Sequence, residues 1–126
     1  MTRRIVLLVV LTASLAACGG GGSSPPPVSC KPAGTHLSIT AKNNLFDETC
    51  LAAPANHASE ITLRNEDDGV VHNIQVFTGD GSSVFKGALV TGVTTVTYHL
   101  PSLRPGTYTF HCDVHPDTMK GTFVVK

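Results

Sequence analysis

The sequence lacks any excess of positive charge. Nine Lys and Arg residues are matched by nine Asp and Glu residues, and without Arg3 and Arg4 near the start, seven basic residues stand against nine acidic ones. Proteins that bind nucleic acid generally carry a clustered basic patch, so no nucleic-acid partner is expected. No convincing amphipathic helical pattern occurs either, which leaves strands as the main expected element.

A long apolar segment is also missing. The apolar run over residues 5–13 is too short to be a permanent transmembrane helix. It follows two arginines and precedes small residues, which is the order of an export signal. Residues 15–18, Leu-Ala-Ala-Cys, resemble the lipobox of bacterial lipoproteins. We therefore predict a signal peptide over residues 1–17 and a diacylglyceryl group on Cys18; ordinary cleavage beside an incidental cysteine is the alternative.

The next segment has the composition of a tether. Residues 19–29 read GGGGSSPPPVS, and such Gly, Ser and Pro sequences do not build a core. Residues 18–29 are thus predicted to be the lipidated cysteine and its tether, and residues 30–126 to be one small domain. Acyl chains on Cys18 would hold the domain at a membrane. We expect it on the extracytoplasmic face of a bacterial membrane, in the periplasm or at the cell surface.

The sequence has only four cysteines, and they divide unevenly. With Cys18 acylated, Cys30 and Cys50 form the natural disulfide in an exported chain. Their bond would close a loop of about 20 residues and contribute roughly 3 kcal/mol by chain entropy. Cys50 is expected in a loop. Cys112 is left over, and it could be an inert buried thiol, a route to dimers or a metal ligand.

Short alternating segments indicate an all-β domain. Gly- and Pro-rich turns separate them at intervals typical of a β-sandwich or barrel, and about seven or eight strands are expected. The segments are residues 37–41, 61–63, 70–77, 84–90, 93–100, 107–112 and 121–125.

The cysteine that is left over ends one of these strands. Side chains alternate across a strand, so Tyr108, Phe110 and Cys112 face the core together. The chain continues as Cys-x2-His-x3-Met, with His115 and Met119. A thiolate, an imidazole and a thioether suit copper in both oxidation states.

A further ligand is expected upstream. His72 opens a strand after a polar loop, and Ile74 and Val76 share its face, so its imidazole should point into the core. A buried imidazole needs partners for its nitrogens, and a metal would supply one.

These residues bring the sequence to a family resemblance. NEDDGVVHNIQVF (residues 65–77) and LRPGTYTFHCDVHPDTMKGTFVV (residues 103–125) resemble the cupredoxins, the small blue-copper proteins of the plastocyanin, amicyanin and halocyanin type. ITAKNNLFDETCLAAPA (residues 39–55) resembles their opening strands, so the resemblance covers about residues 36–126. It implies a Greek-key β-sandwich or barrel that holds one type 1 copper ion.

The resemblance also implies roles for individual residues. His72, Cys112 and His115 would be the in-plane copper ligands, and Met119 the long axial ligand. Asn73 would tie the first ligand loop to the cysteine loop. The three residues between His115 and Met119 differ from the plastocyanin pattern, which leaves the copper–sulfur distance and the redox potential open.

The function implied is electron transfer by a membrane-anchored monomer that cycles between Cu(II) and Cu(I) and meets redox partners transiently. Four protein ligands leave no open position for a substrate, so the chain is not expected to be an enzyme. A copper-delivery module without electron transfer is the main alternative. A zinc site and an inert disulfide-stapled adhesin are weaker ones.

Other polar residues have less specific interpretations. His36, His57 and His99 are expected at the surface or in turns. His111 should face solvent beside Cys112, where it could open a second electron route. The acidic run over residues 66–68 is expected to be a solvated loop, with partner docking as the other interpretation.

Overall fold

A computed structural model describes Cys30 and residues 34–126, and in this part of the chain all regular structure is strand. The predicted signal peptide (residues 1–17), the tether (residues 18–29) and Cys18 lie outside the described residues. No helix that could cross a membrane occurs among residues 30 and 34–126. The strands are β1 (His36–Lys42), β2 (Leu45–Phe46), β3 (Cys50–Ala53), β4 (Ser59–Asn65), β5 (Val71–His72), β6 (Gln75–Phe77), β7 (Ser83–Lys86), β8 (Val90–Thr91), β9 (Thr94–Leu100), β10 (Gly106–His111) and β11 (Lys120–Val125).

The strands form two main sheets and one small ladder. The first sheet has the order β2-β1-β4-β9 and the second the order β3-β11-β10-β6-β7, while β5 pairs with β8. β1 runs parallel to β4, and β3 runs parallel to β11; the other pairs are antiparallel.

The core lies between the two sheets. Alternation in β4 turns Ile61 and Leu63 inward, and both are fully buried. Aromatic contacts cross between the layers. The Phe46 ring lies 5.8 Å from the Phe110 ring, and the Phe85 ring of β7 lies 5.9 Å from the Tyr98 ring. Burial of such apolar surface is the main stabilising contribution to the fold. The predicted all-β sandwich is confirmed.

Two details of the predicted strands are wrong. The described residues contain eleven strands rather than seven or eight. Residues 70–77 divide into β5 and β6 because Asn73 and Ile74 leave the ladder, residues 84–90 correspond to the two strands β7 and β8, and β2 and β3 match none of the predicted segments. Cys50 begins β3 and pairs with Thr122 instead of lying in a loop. The non-alternating run after it, Leu51 to Ala53, is buried throughout, so no period-2 pattern marks this strand in the sequence.

The described cysteines consist of one disulfide-bonded pair and one free thiol, as expected. Cys30 and Cys50 are joined by a disulfide across 20 residues. Cys112 is free and fully buried. The disulfide links Cys30, which precedes the first strand, to β3 and so to the second sheet.

Candidate metal centre

His72 is delivered to the core by a structured loop between β4 and β5. The Asn65 side chain donates to the Val70 carbonyl at 2.9 Å and accepts from the Asp67 N–H at 2.9 Å. Gly69 takes a positive φ of 69° in this loop, a conformation that glycine adopts without steric cost. The loop closes on itself, and His72 enters the core with 0% of its surface exposed.

One carboxylate orients the His72 ring. Asp67 Oδ2 lies 2.9 Å from His72 Nε2, and the Asp67 carboxylate also accepts from the backbone N–H groups of Asn43 at 2.6 Å and Asn44 at 3.0 Å. The pKa of Asp67 lies below its ordinary value, first because its carboxylate accepts the Asn44 N–H. Partial burial raises the pKa, but the Asn43 N–H and His72 lower it further. Asp67 is therefore ionised at neutral pH, and a proton on Nε2 leaves the Nδ1 lone pair free for a metal.

The other predicted ligands lie on one compact loop after β10. The Cys112 N–H donates to the Met119 carbonyl at 2.9 Å, and the His115 N–H donates to the Cys112 carbonyl at 3.2 Å. The Met119 N–H donates to the His115 carbonyl at 2.9 Å. These bonds fold the loop back on itself, so Cys112 and Met119 are both fully buried while His115 keeps partial exposure.

Three side chains from the two loops converge on one point. Cys112 Sγ lies 3.8 Å from His72 Nδ1 and 3.9 Å from His115 Nδ1, and one ligand atom from each residue falls within 4.8 Å of the others. With metal–sulfur and metal–nitrogen bonds of about 2.3 and 2.0–2.1 Å, trigonal coordination separates sulfur from nitrogen by about 3.8 Å. The spacing and the donor chemistry fit a copper ion in a trigonal plane of two imidazole nitrogens and one thiolate sulfur.

A reciprocal hydrogen-bond pair links the two ligand loops. Asn73 Nδ2 donates to Asp113 Oδ2 at 3.0 Å and to the Gly87 carbonyl at 3.0 Å, while the Asp113 N–H donates to Asn73 Oδ1 at 2.9 Å. Because Asn73 follows His72 and Asp113 follows Cys112, this pair holds the two ligands in register.

The Asp113 carboxylate is ionised despite its position. Burial by itself would raise the pKa of Asp113, but hydrogen bonds from Lys86 and Asn73, together with the charges of Lys86 and His111, hold it below the ordinary value. Lys86 Nζ lies 2.8 Å from Asp113 Oδ2, so an ion pair closes this side of the centre.

A tyrosine on the first sheet completes the surroundings. Tyr98 is buried, and its hydroxyl donates to the Ala88 carbonyl at 2.7 Å. Burial, and secondarily the charge of the Cys112 thiolate, raises the pKa of Tyr98 to about 12. The phenol therefore stays neutral under all ordinary conditions and acts as a hydrogen-bond donor.

The interpretation of the acidic run as a solvated loop is wrong for Asp67. This residue is a partner of the buried His72 imidazole, and its own side chain is only 11% exposed. Glu66 pairs with Lys42 at 3.1 Å and with Arg64 at 3.1 Å. The sequence signal for Asp67 is its position five residues before the ligand histidine, inside the stretch that carries the family resemblance.

The remaining histidines fall into two groups. His111 does not simply face solvent, because its ring stacks on Phe77 at 4.4 Å and leaves 30% of the side chain exposed. His36, His57 and His99 are exposed, as expected. None of these four joins the three converging ligands.

Comparison with known proteins identifies the fold family. A family model described as a cupredoxin-like domain matches residues 4–125. The structure resembles reduced auracyanin from the photosynthetic bacterium Roseiflexus castenholzii, with a TM-score of 0.68 and 19% identity over 75% of this chain and 99% of that one. It also resembles auracyanin A, a "blue" copper protein of Chloroflexus aurantiacus, with a TM-score of 0.64 and 22% identity over 72% and 98%.

A mutant of amicyanin in its reduced Cu(I) form is a more distant structural match, with a TM-score of 0.56 and 22% identity over 76% of this chain and 87% of that one. No curated protein sequence matches the chain significantly. The predicted cofactor, one type 1 copper ion, is that of the matched family, and the three converging side chains fit it. The chain belongs to the cupredoxin family.

Proposed function

We propose that this protein is an exported blue-copper electron carrier whose copper is held by His72 Nδ1, Cys112 Sγ and His115 Nδ1, with Met119 as the axial ligand. The observation that carries the proposal is the convergence of a buried thiol and two imidazole nitrogens within 4.8 Å. Met119, fully buried at the end of the same loop, supports the fourth position. Four protein ligands leave no place for a substrate, which favours electron transfer over catalysis.

The chain's own residues keep the ligands still. Bound copper supplies a one-electron couple between Cu(II) and Cu(I). Asp67 fixes the His72 ring, and the Asn73–Asp113 pair fixes the spacing of the two loops. A rigid ligand set lowers the reorganisation that accompanies each electron transfer, because no bond has to be remade.

His115 is the favoured exit for the electron. It is the partly exposed member of the three ligands, and Val114 beside it is 49% exposed. Other exposed apolar side chains lie on segments that contact the ligand loops: Leu45 follows Asn44, whose carbonyl accepts from Thr118, and Leu89 precedes the partner of His72 in β8. A small apolar surface of this kind suits weak, transient redox contacts.

A second electron route through His111 is also part of the proposal. His111 is bonded to Cys112 through the chain and stacks on Phe77, which extends the covalent path toward the surface of the second sheet. We expect His111→Ala to slow exchange with one partner while the copper absorption stays unchanged. Loss of the absorption would instead make His111 a structural residue.

The anchor is proposed from the leading segment. A lipid on Cys18 and the tether that follows would keep the domain at the extracytoplasmic face of a membrane while leaving its ligand end free to meet partners. Mass spectrometry of the protein from a lipoprotein-processing host tests this, because a mature chain that begins at acylated Cys18 is expected. An unmodified cysteine, or cleavage elsewhere, would remove the anchor from the proposal.

The copper proposal is tested by visible absorption and electron paramagnetic resonance of residues 30–126 after addition of Cu(II). An intense thiolate-to-copper band with narrow copper hyperfine splitting is expected, and it should vanish in Cys112→Ser. The matched control is His57→Gln, which changes an exposed histidine away from the ligands. A colourless protein that takes up only Cu(I) would favour copper delivery, and absence of copper binding would reject the proposal.

A further inference from the structure

Three potential metal ligands lie side by side on the outer face of the first sheet. In the register of the strands, His36 of β1 pairs with Glu60 of β4, and Glu60 pairs with His99 of β9. Directly opposed residues on neighbouring strands project on the same face of a sheet. The three side chains therefore form one row, with the carboxylate between two imidazoles.

Hydrogen bonds already organise this row. His36 Nδ1 lies 2.9 Å from Glu60 Oε2, and His99 Nδ1 lies 3.1 Å from Glu60 Oε1. Each ring therefore has one nitrogen beside the carboxylate, so the groups that would bind a metal already adjoin Glu60. On binding, a metal ion would replace the hydrogen bonds between Nδ1 and the carboxylate.

The surroundings leave room for a cation. A shallow cavity of about 290 Å³ is lined by His36, Glu60 and His99 together with small and aliphatic neighbours. The next row on the same face contains Thr62 and Thr97, which hydrogen-bond to each other at 3.1 Å, so the adjacent row places no positive charge beside the cavity.

The side chains are also free to adjust. The side chains of His36 and His99 are 80% and 76% exposed, and that of Glu60 is 36% exposed. Rotation of the two imidazoles toward one point above Glu60 would break only two exposed imidazole–carboxylate contacts, and surface contacts of this kind contribute little to stability. A metal that takes both imidazoles and the carboxylate would replace these contacts with stronger ones.

The row lies far from the ligand end of the domain. Glu60 stands near the start of β4, and Asn65, which holds the loop before His72, stands at its end. Position 65 lies five residue steps along the strand from position 60, which separates the two by about 17 Å. Occupation of the row would therefore leave the converging ligands of the copper centre undisturbed.

We propose that His36, Glu60 and His99 form a second, surface metal site that binds a divalent transition-metal ion such as Zn²⁺. Two imidazoles and one carboxylate suit Zn²⁺ and its neighbours in the first transition row, whereas Mg²⁺ and Ca²⁺ prefer all-oxygen sites. The ion would tie together β1, β4 and β9, three adjacent strands of the first sheet. The site does not depend on the electron-transfer proposal.

The test is a calorimetric titration of the copper-loaded full chain with Zn²⁺, with the visible absorption recorded in parallel. One equivalent is expected to bind without loss of the copper absorption. His36→Gln, His99→Gln and Glu60→Gln should each weaken binding at least tenfold, whereas His57→Gln, the exposed-histidine control, should bind as the unaltered chain does. Equal affinity in all four variants, or no binding to the unaltered chain, would overturn the site.

Imidazole nuclear magnetic resonance separates ligation from a general electrostatic effect. On addition of Zn²⁺, the ring nitrogen signals of both His36 and His99 should shift by the large amounts that accompany direct coordination, and those of His57 should not. A response in only one of the two rings would show a single-histidine contact and would reject the three-residue site.

Discussion

Replacement of Asn73 by leucine tests whether the two ligand loops are fastened by one side chain. The change removes three hydrogen bonds from a fully buried position: two with backbone groups, at Gly87 and Asp113, and one with the Asp113 carboxylate. Neutral hydrogen bonds contribute about 1 kcal/mol each, and one to a charged group about 1.5–3 kcal/mol. Leucine recovers about 1 kcal/mol through apolar burial. A net loss of about 3 kcal/mol in unfolding free energy follows.

Urea unfolding of the copper-free protein measures this loss. Gln75→Leu is the matched control, because its side-chain amide donates to Ser83 at 2.8 Å in an exposed setting, where a change below about 1 kcal/mol is expected. Copper affinity should also fall by roughly 10- to 100-fold in Asn73→Leu, as is usual when groups that orient metal ligands are removed. A loss under about 1 kcal/mol together with unchanged affinity would refute the fastening role.

Three further changes have defined outcomes. The pKa of Tyr98 is about 12 in the folded protein, against 10.0 for a free phenol. Unfolding therefore releases a proton between pH 10 and 12, and the unfolding free energy falls as the pH rises through this window. Urea melts should show that Tyr98→Phe loses about 1–2 kcal/mol less unfolding free energy over this window than the unaltered chain does. Gly121→Ala would place a Cβ 2.5 Å from the Phe110 ring and should lower the unfolding free energy of the protein by about 1–3 kcal/mol. In the control Gly106→Ala the nearest contact of the new Cβ would be 3.6 Å, so the unfolding free energy should change little. Equal effects of the two changes would contradict the packing argument. Asp67→Asn removes a negative charge beside a ligand imidazole and should raise the reduction potential by on the order of tens of millivolts in voltammetry; an unchanged or lower potential would contradict it.

The sequence predicts contacts best where they depend on short spacing and alternation. Cys112 faces inward because Tyr108 and Phe110 do, and both are buried with it. Met119 follows Cys112 by only seven residues, so the short loop confines His115 and Met119 to the neighbourhood of the thiol. His72 is buried as predicted, but alternation does not explain it, because Asn73 and Ile74 lie outside the strands and both are fully buried too.

Contacts between distant segments could not be predicted from the sequence, for a physical reason. Cys50 joins β3 only through parallel pairing with β11, more than 70 residues later, and no local pattern records that pairing. The partners of Asp67 at Asn43 and Asn44 lie 24 and 23 residues upstream. The row of His36, Glu60 and His99 exists only once the register of three strands is set.

The two carboxylates beside the ligand loops differ in what they do to a bound metal. Asp113 pairs with the ammonium of Lys86 at 2.8 Å, so the field of the carboxylate is largely cancelled and its main effect is the hydrogen bonding that positions Asn73. The partners of Asp67 are two backbone N–H groups and the His72 imidazole, none of which carries a formal charge while the imidazole is neutral. The charge of Asp67 would therefore act on a copper ion held by His72 and would favour Cu(II) over Cu(I), because the more highly charged ion gains more from a nearby anion. The fold thus separates positioning and electrostatic tuning between two aspartates, one on each ligand loop.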